Sequence, residues 1–195
     1  MYKELFRQVV YLILNPRQAW QDLAVKEEKN DESLTGFVYP LVGLVAAAAF
    51  VGIFFTETDF SVEVALKTSI KALFSSAGGF FLASWLLSEA LKGVFRRETD
   101  QALCRRFVGY SSVAMFVIHI LFSFLPFLPL SRFFFLRVFI LFVPTMLITW
   151  EGAIPYMRME NEQRLKFTLI ASLLIVMLPE IFGRLLFMVL PGLRI

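Results

Sequence analysis

Residues 37–55 read FVYPLVGLVAAAAFVGIFF and contain no charged side chain. A bilayer core about 30 Å thick is crossed by roughly 20 apolar helical residues. Because lipid offers no hydrogen bonds to the backbone, a segment that crosses it singly has to be a helix. This stretch therefore predicts a membrane-spanning helix.

Four further apolar stretches follow the first. Lys71 and Glu89 lie near the two ends of the second, where long side chains reach the interface. The third is expected to stop near Pro126 and Pro129, and the fifth to kink at Pro179, because proline removes a backbone hydrogen bond. The predicted fold class is an all-α polytopic membrane protein. The chain is predicted to consist of an N-terminal region, residues 1–36, and a membrane domain, residues 37–195. The membrane domain would cross the bilayer five times, at about residues 37–55, 70–91, 107–128, 133–150 and 167–190.

The composition agrees with solvation by lipid. Hydrophobic residues make up 58% of the 195 positions, 23 of them are Phe, and only 18% of the chain is charged. Soluble domains average about 45 to 50% apolar and 25% charged residues.

The net charge of +3 is better explained by membrane topology than by binding of nucleic acid, which we exclude as a partner. With Cys104 as the single cysteine, no internal disulfide is possible.

Lysine and arginine are distributed unequally between the two sides of the predicted membrane domain. Loops rich in these residues tend to stay cytoplasmic. The N-terminal side carries 13 of them: Lys3, Arg7, Arg17, Lys26, Lys29, Lys92, Arg96, Arg97, Arg105, Arg106, Arg158, Arg164 and Lys166. The opposite side carries 6: Lys67, Lys71, Arg132, Arg137, Arg184 and Arg194. The N-terminus is therefore predicted in the cytoplasm and the C-terminus outside, in a membrane that we expect to be the bacterial inner membrane.

The first 36 residues predict interfacial helices rather than a sixth span. Apolar residues recur at helical spacing between Tyr2 and Ile13, and polar residues occupy the opposite face, as in a helix that lies on a membrane. Asn15 and Pro16 are typical of a helix start and predict a second short helix. Its Trp20 is expected at headgroup depth. The charged run 26–32 is interpreted as a solvated linker.

Several short motifs occur in a familiar order along this layout. They are NPRQAW at 15–20, YP at 39–40, FVGY at 107–110 and WEG at 150–152. Together with five predicted spans, they resemble the bacterial branch of the Yip1 domain family, and the likeness covers nearly the whole chain. For the eukaryotic members, the family implies Golgi and endoplasmic-reticulum membrane proteins that associate with Rab GTPases and with one another. The acidic Asp-Leu-Tyr-Gly-Pro-type motif of those members is absent here, and the resemblance implies for this chain an integral membrane protein.

Ionisable residues inside the bilayer are costly and are candidate functional groups. At 1.5 Å per helical residue, His119, Arg137 and Glu180 each lie roughly 18 to 20 Å from the cytoplasmic end of their span. One hypothesis is an interhelical polar cluster of these three with Arg184. The alternative is that Arg137 reaches outward, Glu180 pairs with Arg184 one turn later, and His119 satisfies a single interhelical hydrogen bond.

Small residues in the first two spans form the spacing that favours close helix packing. The candidates are Gly43, Ala47, Ser75, Gly78, Gly79 and Ala83. Contacts inside the bundle and a seam between two copies are both compatible with this pattern.

Two further groups are predicted at the cytoplasmic interface. Arg96, Arg97, Arg105 and Arg106, with Trp20, are candidate contacts for lipid headgroups, because each basic side chain contributes about 1 kcal/mol near an anionic surface. Glu151 and Gly152 are candidates for a cytoplasmic mouth, although a helix that simply ends at Gly152 explains them as well.

No catalytic, cofactor or metal motif is recognisable in the chain, so we predict no enzyme activity, no cofactor and no metal. The favoured function is a non-enzymatic interaction or membrane-organising component of the Yip1 type, with a basic cytoplasmic face. Its expected partners are membrane lipids, including anionic headgroups, and a protein partner or a second copy. The alternative is a small transporter or channel that uses His119, Arg137 and Glu180. A continuous hydrated cavity would favour transport, whereas a dry, packed bundle would favour assembly.

Overall fold

The computed structural model describes residues 2–25, 34–56, 61–125 and 134–189, and all regular structure in these ranges is helical. The predicted linker 26–32, the prolines at 126 and 129 and the C-terminal residues after 189 lie outside the described residues. The helices are α1 (Tyr2–Leu14), α2 (Pro16–Val25), α3 (Tyr39–Thr56), α4 (Val62–Val94), α5 (Gln101–Ser111), α6 (Val113–Ser123), α7 (Phe134–Ala153) and α8 (Asn161–Val189). A five-residue π-helix, Leu34–Val38, leads into α3.

Within the described residues, four helical stretches are long and apolar enough to cross a membrane: Gly36–Phe55, Val62–Val94, Phe135–Ala153 and Asn161–Leu186. A fifth candidate is the pair α5 and α6, which are bent by 40° relative to one another. The bend lies at Ser112, whose hydroxyl donates to the Val108 carbonyl at 2.6 Å. Such a bond from a serine to the preceding turn bends helices. The sequence predicts a third span over about residues 107–128 but does not predict this bend.

The bent pair connects opposite ends of the bundle. At its beginning, Phe107 of α5 contacts Phe167, near the start of α8, with ring centroids 5.4 Å apart. At its end, Phe124 contacts Phe55, near the end of α3, at 5.9 Å. The pair runs alongside α3 in the same direction, because Gly109 lies against Val38 near the start of α3 and Ser123 lies against Gly52 near its end. The pair therefore extends from one end of the bundle to the other and is a candidate for a fifth, broken span.

Three helices begin earlier than hydropathy predicts: α4, α8 and α5, which starts at Gln101 instead of residue 107. α4 starts at Val62 instead of about residue 70, with Ser61 as its N-cap, and its first turns are stabilised by a 2.6 Å ion pair between Glu63 and Lys67. α8 starts at Asn161 instead of residue 167. A hydropathy window detects where lipid contacts a helix and misses the polar turns that extend beyond it.

Hydroxyl side chains are buried where the helices meet. Thr145 donates to the Leu141 carbonyl at 2.7 Å and Ser84 to the Phe80 carbonyl at 2.8 Å, so their own helices satisfy them. Small hydroxyl residues of this kind allow close approach of helices in membranes. Hydropathy and spacing do not predict this set, which comprises Ser76, Ser84, Ser88, Ser111, Ser112, Thr145, Thr149, Thr168 and Ser172.

Candidate functional site

Helices α1 and α2 pack against one end of the bundle and form what we call the N-terminal platform. On α1, Leu5, Val9 and Leu12 are buried, whereas Phe6 is 71% exposed. The Tyr11 hydroxyl donates to a carboxylate oxygen of Asp22 at 2.9 Å and so joins α1 to α2. This hydrogen bond raises the pKa of Tyr11 above its ordinary value. The platform is thus a folded part of the membrane domain.

Trp20 anchors the platform. Its ring centroid lies 5.1 Å from that of Phe107 and 5.0 Å from that of Tyr156, with Tyr110 edge-on at 6.0 Å. The indole Nε1 donates to the Ile148 carbonyl at 2.8 Å. Trp20 is fully buried, so its prediction as a headgroup contact is wrong. Its apolar area and its single donor are both satisfied inside the protein.

The predicted cytoplasmic mouth at Glu151 and Gly152 is also wrong. A β-carbon on Gly152 would lie 2.5 Å from Cε2 of Trp20, so the glycine leaves room for the indole and not for an opening. Glu151 lies 3.9 Å from Arg164, a residue that also donates to the Trp150 carbonyl at 2.8 Å. The space at this helix end is occupied by protein side chains.

The predicted basic residues lie at the platform end of the bundle, with different degrees of exposure. Arg96 is exposed and adopts a left-handed conformation, φ 52°, at the end of α4. Arg97 instead donates to the Arg158 carbonyl at 2.7 Å, and so ties the end of α4 to the turn after α7. Arg105 and Arg106, on the first turns of α5, are half-buried.

A cleft of about 450 Å³ opens beside the platform. α2 contributes Leu23 and Ala24 to it, the α4–α5 connection contributes Arg97, Glu98 and Asp100, and Arg106 and Arg158 complete its basic lining. This mixed charge suits a polar partner surface better than the interior of a bilayer.

The small residues divide into two groups. A β-carbon on Gly79 would lie 2.5 Å from the α-carbon of Pro179, and one on Gly78 would lie 2.5 Å from the Phe182 ring, so both let α8 approach α4 closely. Ser75 faces Gly183 in the same contact, and Ala83 is buried. Among the described residues, Gly43 has no neighbour within 4 Å of its β-position, and Ala47 is exposed, so the first alternative, packing within the bundle, is wrong for these two residues, and a seam between two copies stays a prediction. The buried side of α3 carries Leu41, Val45 and Ala48 instead.

The predicted polar residues of the membrane interior come together at the end of the bundle opposite the platform, which we call the distal end. Arg137 Nη2 donates to Glu180 Oε1 at 2.7 Å, joining α7 to α8. Both residues line a cavity of about 360 Å³, together with His119 and Arg184. Glu180 thus pairs with Arg137, as the cluster hypothesis requires.

Lys71 also lines this cavity. Its position in the sequence predicts the end of a span, whereas α4 begins nine residues earlier, at Val62. Thr68, Lys71 and Ser75 recur at the spacing of one helix face and all line the cavity. That spacing is the signal that could have identified them. Among the residues described, no three His, Cys, Asp or Glu side chains are arranged to hold a metal ion.

The fold and these contacts define a polytopic, all-α integral membrane protein with a folded N-terminal platform. A family model, the Yip1 domain, matches residues 10–180. The chain therefore belongs to the Yip1 domain family. Neither a curated protein nor a solved structure matches it.

Three of the four motifs behind this resemblance converge in space. Trp20 comes from residues 15–20, Phe107 and Tyr110 come from 107–110, and Gly152 comes from 150–152; all four meet around the indole ring. In the same cluster, a β-carbon on Gly109 would lie 2.6 Å from a methyl group of Val38. These motif residues hold the platform onto the spans.

Proposed function

We propose that this protein is a non-enzymatic interaction and membrane-organising component whose platform end faces the cytoplasm and binds anionic lipid headgroups. The observation that carries the proposal is the burial of Trp20, which fixes α1 and α2 beside the basic α4–α5 connection. A flexible N-terminal tail would have no fixed relation to those basic residues. A docked platform presents them as one surface.

Charge and apolar exposure at this end support the proposal. Lys92 and Arg96 are exposed at the end of α4, and Arg105 and Arg106 follow at the start of α5. On the platform, Phe6 is 71% exposed, Leu14 70% and Val25 83%. Exposed apolar residues beside basic ones are typical of surfaces that lie at the headgroup boundary. The cleft of about 450 Å³ in the same region is the proposed contact for a protein partner.

The test is lipid preference, measured by native mass spectrometry of the purified protein titrated with phosphatidylglycerol or phosphatidylcholine. We expect a preference for the anionic lipid that falls in the double variant Arg96→Asn, Arg105→Gln. Asn is used at position 96 because it tolerates a left-handed backbone. Two charges at about 1 kcal/mol each correspond to a loss of roughly 30-fold.

The matched control removes a charge at the distal end. Lys67→Gln deletes a lysine that pairs with Glu63 on the first turns of α4. We expect this variant to retain the anionic preference. An equal loss in Lys67→Gln, or equal binding of the two lipids by the wild type, would contradict the proposal.

Transport through the polar residues is the second candidate, and the 360 Å³ cavity is the observation in its favour. The packing on its platform side speaks against an open path. There Gly79 and Pro179 bring α4 and α8 together, and Phe80 and Ile175 are buried. Membrane-impermeant thiosulfonate labelling of Ser84→Cys distinguishes the two, in a Cys104→Ala background. Reaction of this buried position in the folded protein would favour transport.

A further inference from the structure

We propose that one face of α1 inserts into the lipid leaflet on the platform side, and that the protein therefore accumulates in membranes whose platform-side leaflet is convex. This inference deepens the membrane-organising role proposed above and rests on the platform lying at a membrane surface. It does not require anionic headgroups. α1 has 13 residues and is thus about 20 Å long.

Three stripes of side chains run along α1, and the members of each recur at intervals of four and three residues, which is the spacing of one helix face. The stripe that is buried against the protein consists of Leu5, Val9 and Leu12. The outer apolar stripe, which is exposed or half-buried, consists of Phe6, Val10 and Ile13. The polar stripe, which lines a groove of about 580 Å³ between α1 and α2, consists of Glu4, Gln8 and Tyr11.

The order of these stripes around α1 is that of a helix at a membrane boundary. At about 100° per residue, the outer apolar stripe lies on one side of the buried stripe and the polar stripe on the other. Lys3 and Arg7 are exposed and lie opposite the buried stripe, between the other two. Basic side chains in this position reach the headgroups while the apolar side of the helix enters the acyl chains.

The rotation of α1 about its axis is fixed by its contacts. The buried stripe attaches one side of the helix to the protein, and Tyr11 of the polar stripe donates to Asp22 of α2 at 2.9 Å. The outer apolar stripe therefore cannot turn inward without breaking this hydrogen bond and exposing the buried stripe. It stays available to whatever surrounds the protein.

The neighbours of α1 indicate that lipid surrounds this stripe. Besides α2, α1 contacts α6. That helix is the second half of the broken candidate span and contains no Asp, Glu, Lys or Arg. The outer apolar stripe is thus continuous with the lipid-facing surface of the spans, and a lipid leaflet is the occupant that its chemistry fits.

Insertion of this kind reaches one leaflet only. An interfacial helix lies about 5 to 10 Å deep at the boundary of headgroups and acyl chains, and its binding is sensitive to curvature. Because the membrane domain holds α1 in place, every copy of the protein enlarges the platform-side leaflet and leaves the other unchanged. A convex platform-side leaflet accommodates this extra area.

The first experiment measures insertion, with a polarity-sensitive fluorophore attached to Phe6→Cys or Glu4→Cys in a Cys104→Ala background. The full-length protein is placed in phosphatidylcholine nanodiscs. We expect spin-labelled acyl chains to quench the fluorophore at position 6 and aqueous iodide to quench it at position 4. Quenching by iodide at position 6 would overturn the proposal. So would resistance to both quenchers there, which would mean that a second copy or another protein covers the stripe.

The second experiment measures curvature preference, as fluorescence on a nanotube pulled from a giant phosphatidylcholine vesicle relative to the flat membrane of the same vesicle. A membrane-impermeant fluorescent maleimide labels Glu98→Cys from outside, in the Cys104→Ala background, so that only copies whose platform faces outward are observed. We expect an enrichment of about twofold or more on the tube. The double variant Phe6→Ala, Ile13→Ala should lose at least about half of this enrichment.

The matched control removes similar side chains from a span. Phe139 and Val143 of α7 are 64% and 37% exposed, compared with 71% for Phe6 and 37% for Ile13. The double variant Phe139→Ala, Val143→Ala should keep the full enrichment. The proposal is overturned if the wild type is not enriched, if the α1 variant keeps its enrichment, or if both double variants lose it equally. Because phosphatidylcholine carries no net charge, these outcomes are independent of the anionic preference tested above.

Discussion

The indole of Trp20 lies directly against Gly152, so that α2 and the end of α7 meet without an intervening side chain. The glycine makes the contact possible, and the hydrogen bond from Trp20 Nε1 to the Ile148 carbonyl orients the ring. Trp20 of the N-terminal platform thus contacts both Ile148 and Gly152, on the last turns of α7.

Replacing Trp20 is expected to release the platform. Trp20→Ala should lower the free energy of unfolding by about 3 to 5 kcal/mol, the usual cost of removing a large buried aromatic side chain. Trp20→Phe retains an aromatic ring but loses the bond to Ile148, and should cost about 1 to 2 kcal/mol. The measurement is thermal unfolding in detergent, combined with the rate at which limited proteolysis releases residues 1–25.

Phe6→Ala is the control for this series, because Phe6 lies on the same platform and is 71% exposed. It should leave both the unfolding midpoint and the proteolysis rate close to those of the wild type. Equal protease resistance of Trp20→Ala and Phe6→Ala would show that Trp20 does not hold the platform.

The glycines of the spans are expected to respond differently to the same substitution. Gly152→Ala places a methyl group 2.5 Å from the Trp20 ring and should destabilise the protein by about 1 to 3 kcal/mol through overpacking. Gly43→Ala meets nothing within 4 Å and should stabilise α3 by about 0.5 to 1 kcal/mol through helix propensity. Unfolding midpoints of the two variants check the difference, which would vanish if α2 did not dock at Gly152.

The Arg137–Glu180 ion pair predicts non-additive effects of substitution. Arg137→Gln and Glu180→Gln should each destabilise the protein, and the double variant should lose less than the sum, with a coupling of about 1 to 3 kcal/mol. The two side chains are in contact at 2.7 Å and are both partly buried. We therefore expect a coupling energy between that of an exposed ion pair and that of a fully buried one. A double-mutant cycle from chemical unfolding in detergent measures the coupling, and additive losses would mean that no direct pair exists.

The sequence was sufficient for the features that depend on hydropathy and spacing. The uncharged stretch 37–55 predicts a helix, and the structure has α3 there. The pair Asn15 and Pro16 predicts the start of a second short helix, and α2 begins at Pro16. The similar predicted depths of Arg137 and Glu180 correspond to an ion pair between α7 and α8.

Features that depend on tertiary contacts were not predictable in this way. Trp20 has the sequence context of an interfacial tryptophan, and only the docking of α2 against Phe107 and Gly152 makes it a buried one. Lys71 looks like the end of a span because hydropathy begins there, whereas the helix begins at Val62. The spacing of Gly43 and Ala47 matches that of Gly79 and Ala83, but only the second pair meets another described helix.

Cys104 is expected to be chemically protected. It is fully buried on α5, although it lies near the start of that helix at the platform end. A maleimide requires an accessible thiolate. Cys104 should therefore react at least about a hundredfold more slowly in the folded protein than after denaturation in dodecyl sulfate. As a control, Leu14→Cys in a Cys104→Ala background, at a position 70% exposed, should react rapidly. Similar rates for Cys104 in the folded and denatured protein would mean that α5 is not packed as described.

The orientation of the bundle is tested by two exposed carboxylate positions at its opposite ends. Glu98 lies in the α4–α5 connection beside the platform, and Glu63 lies on the first turn of α4 at the distal end, where its side chain is 74% exposed. In the Cys104→Ala background, a membrane-impermeant maleimide applied to intact bacterial cells should label Glu63→Cys, and should label Glu98→Cys only after the cells are permeabilised. This pattern follows from the excess of Lys and Arg at the platform end, since basic loops tend to be retained in the cytoplasm. The reverse pattern would place the platform outside the cell and would contradict the proposed binding of cytoplasmic lipid headgroups.

If both variants were labelled in intact cells, the two ends of α4 would lie on the same side of the membrane, and α4 would not cross it.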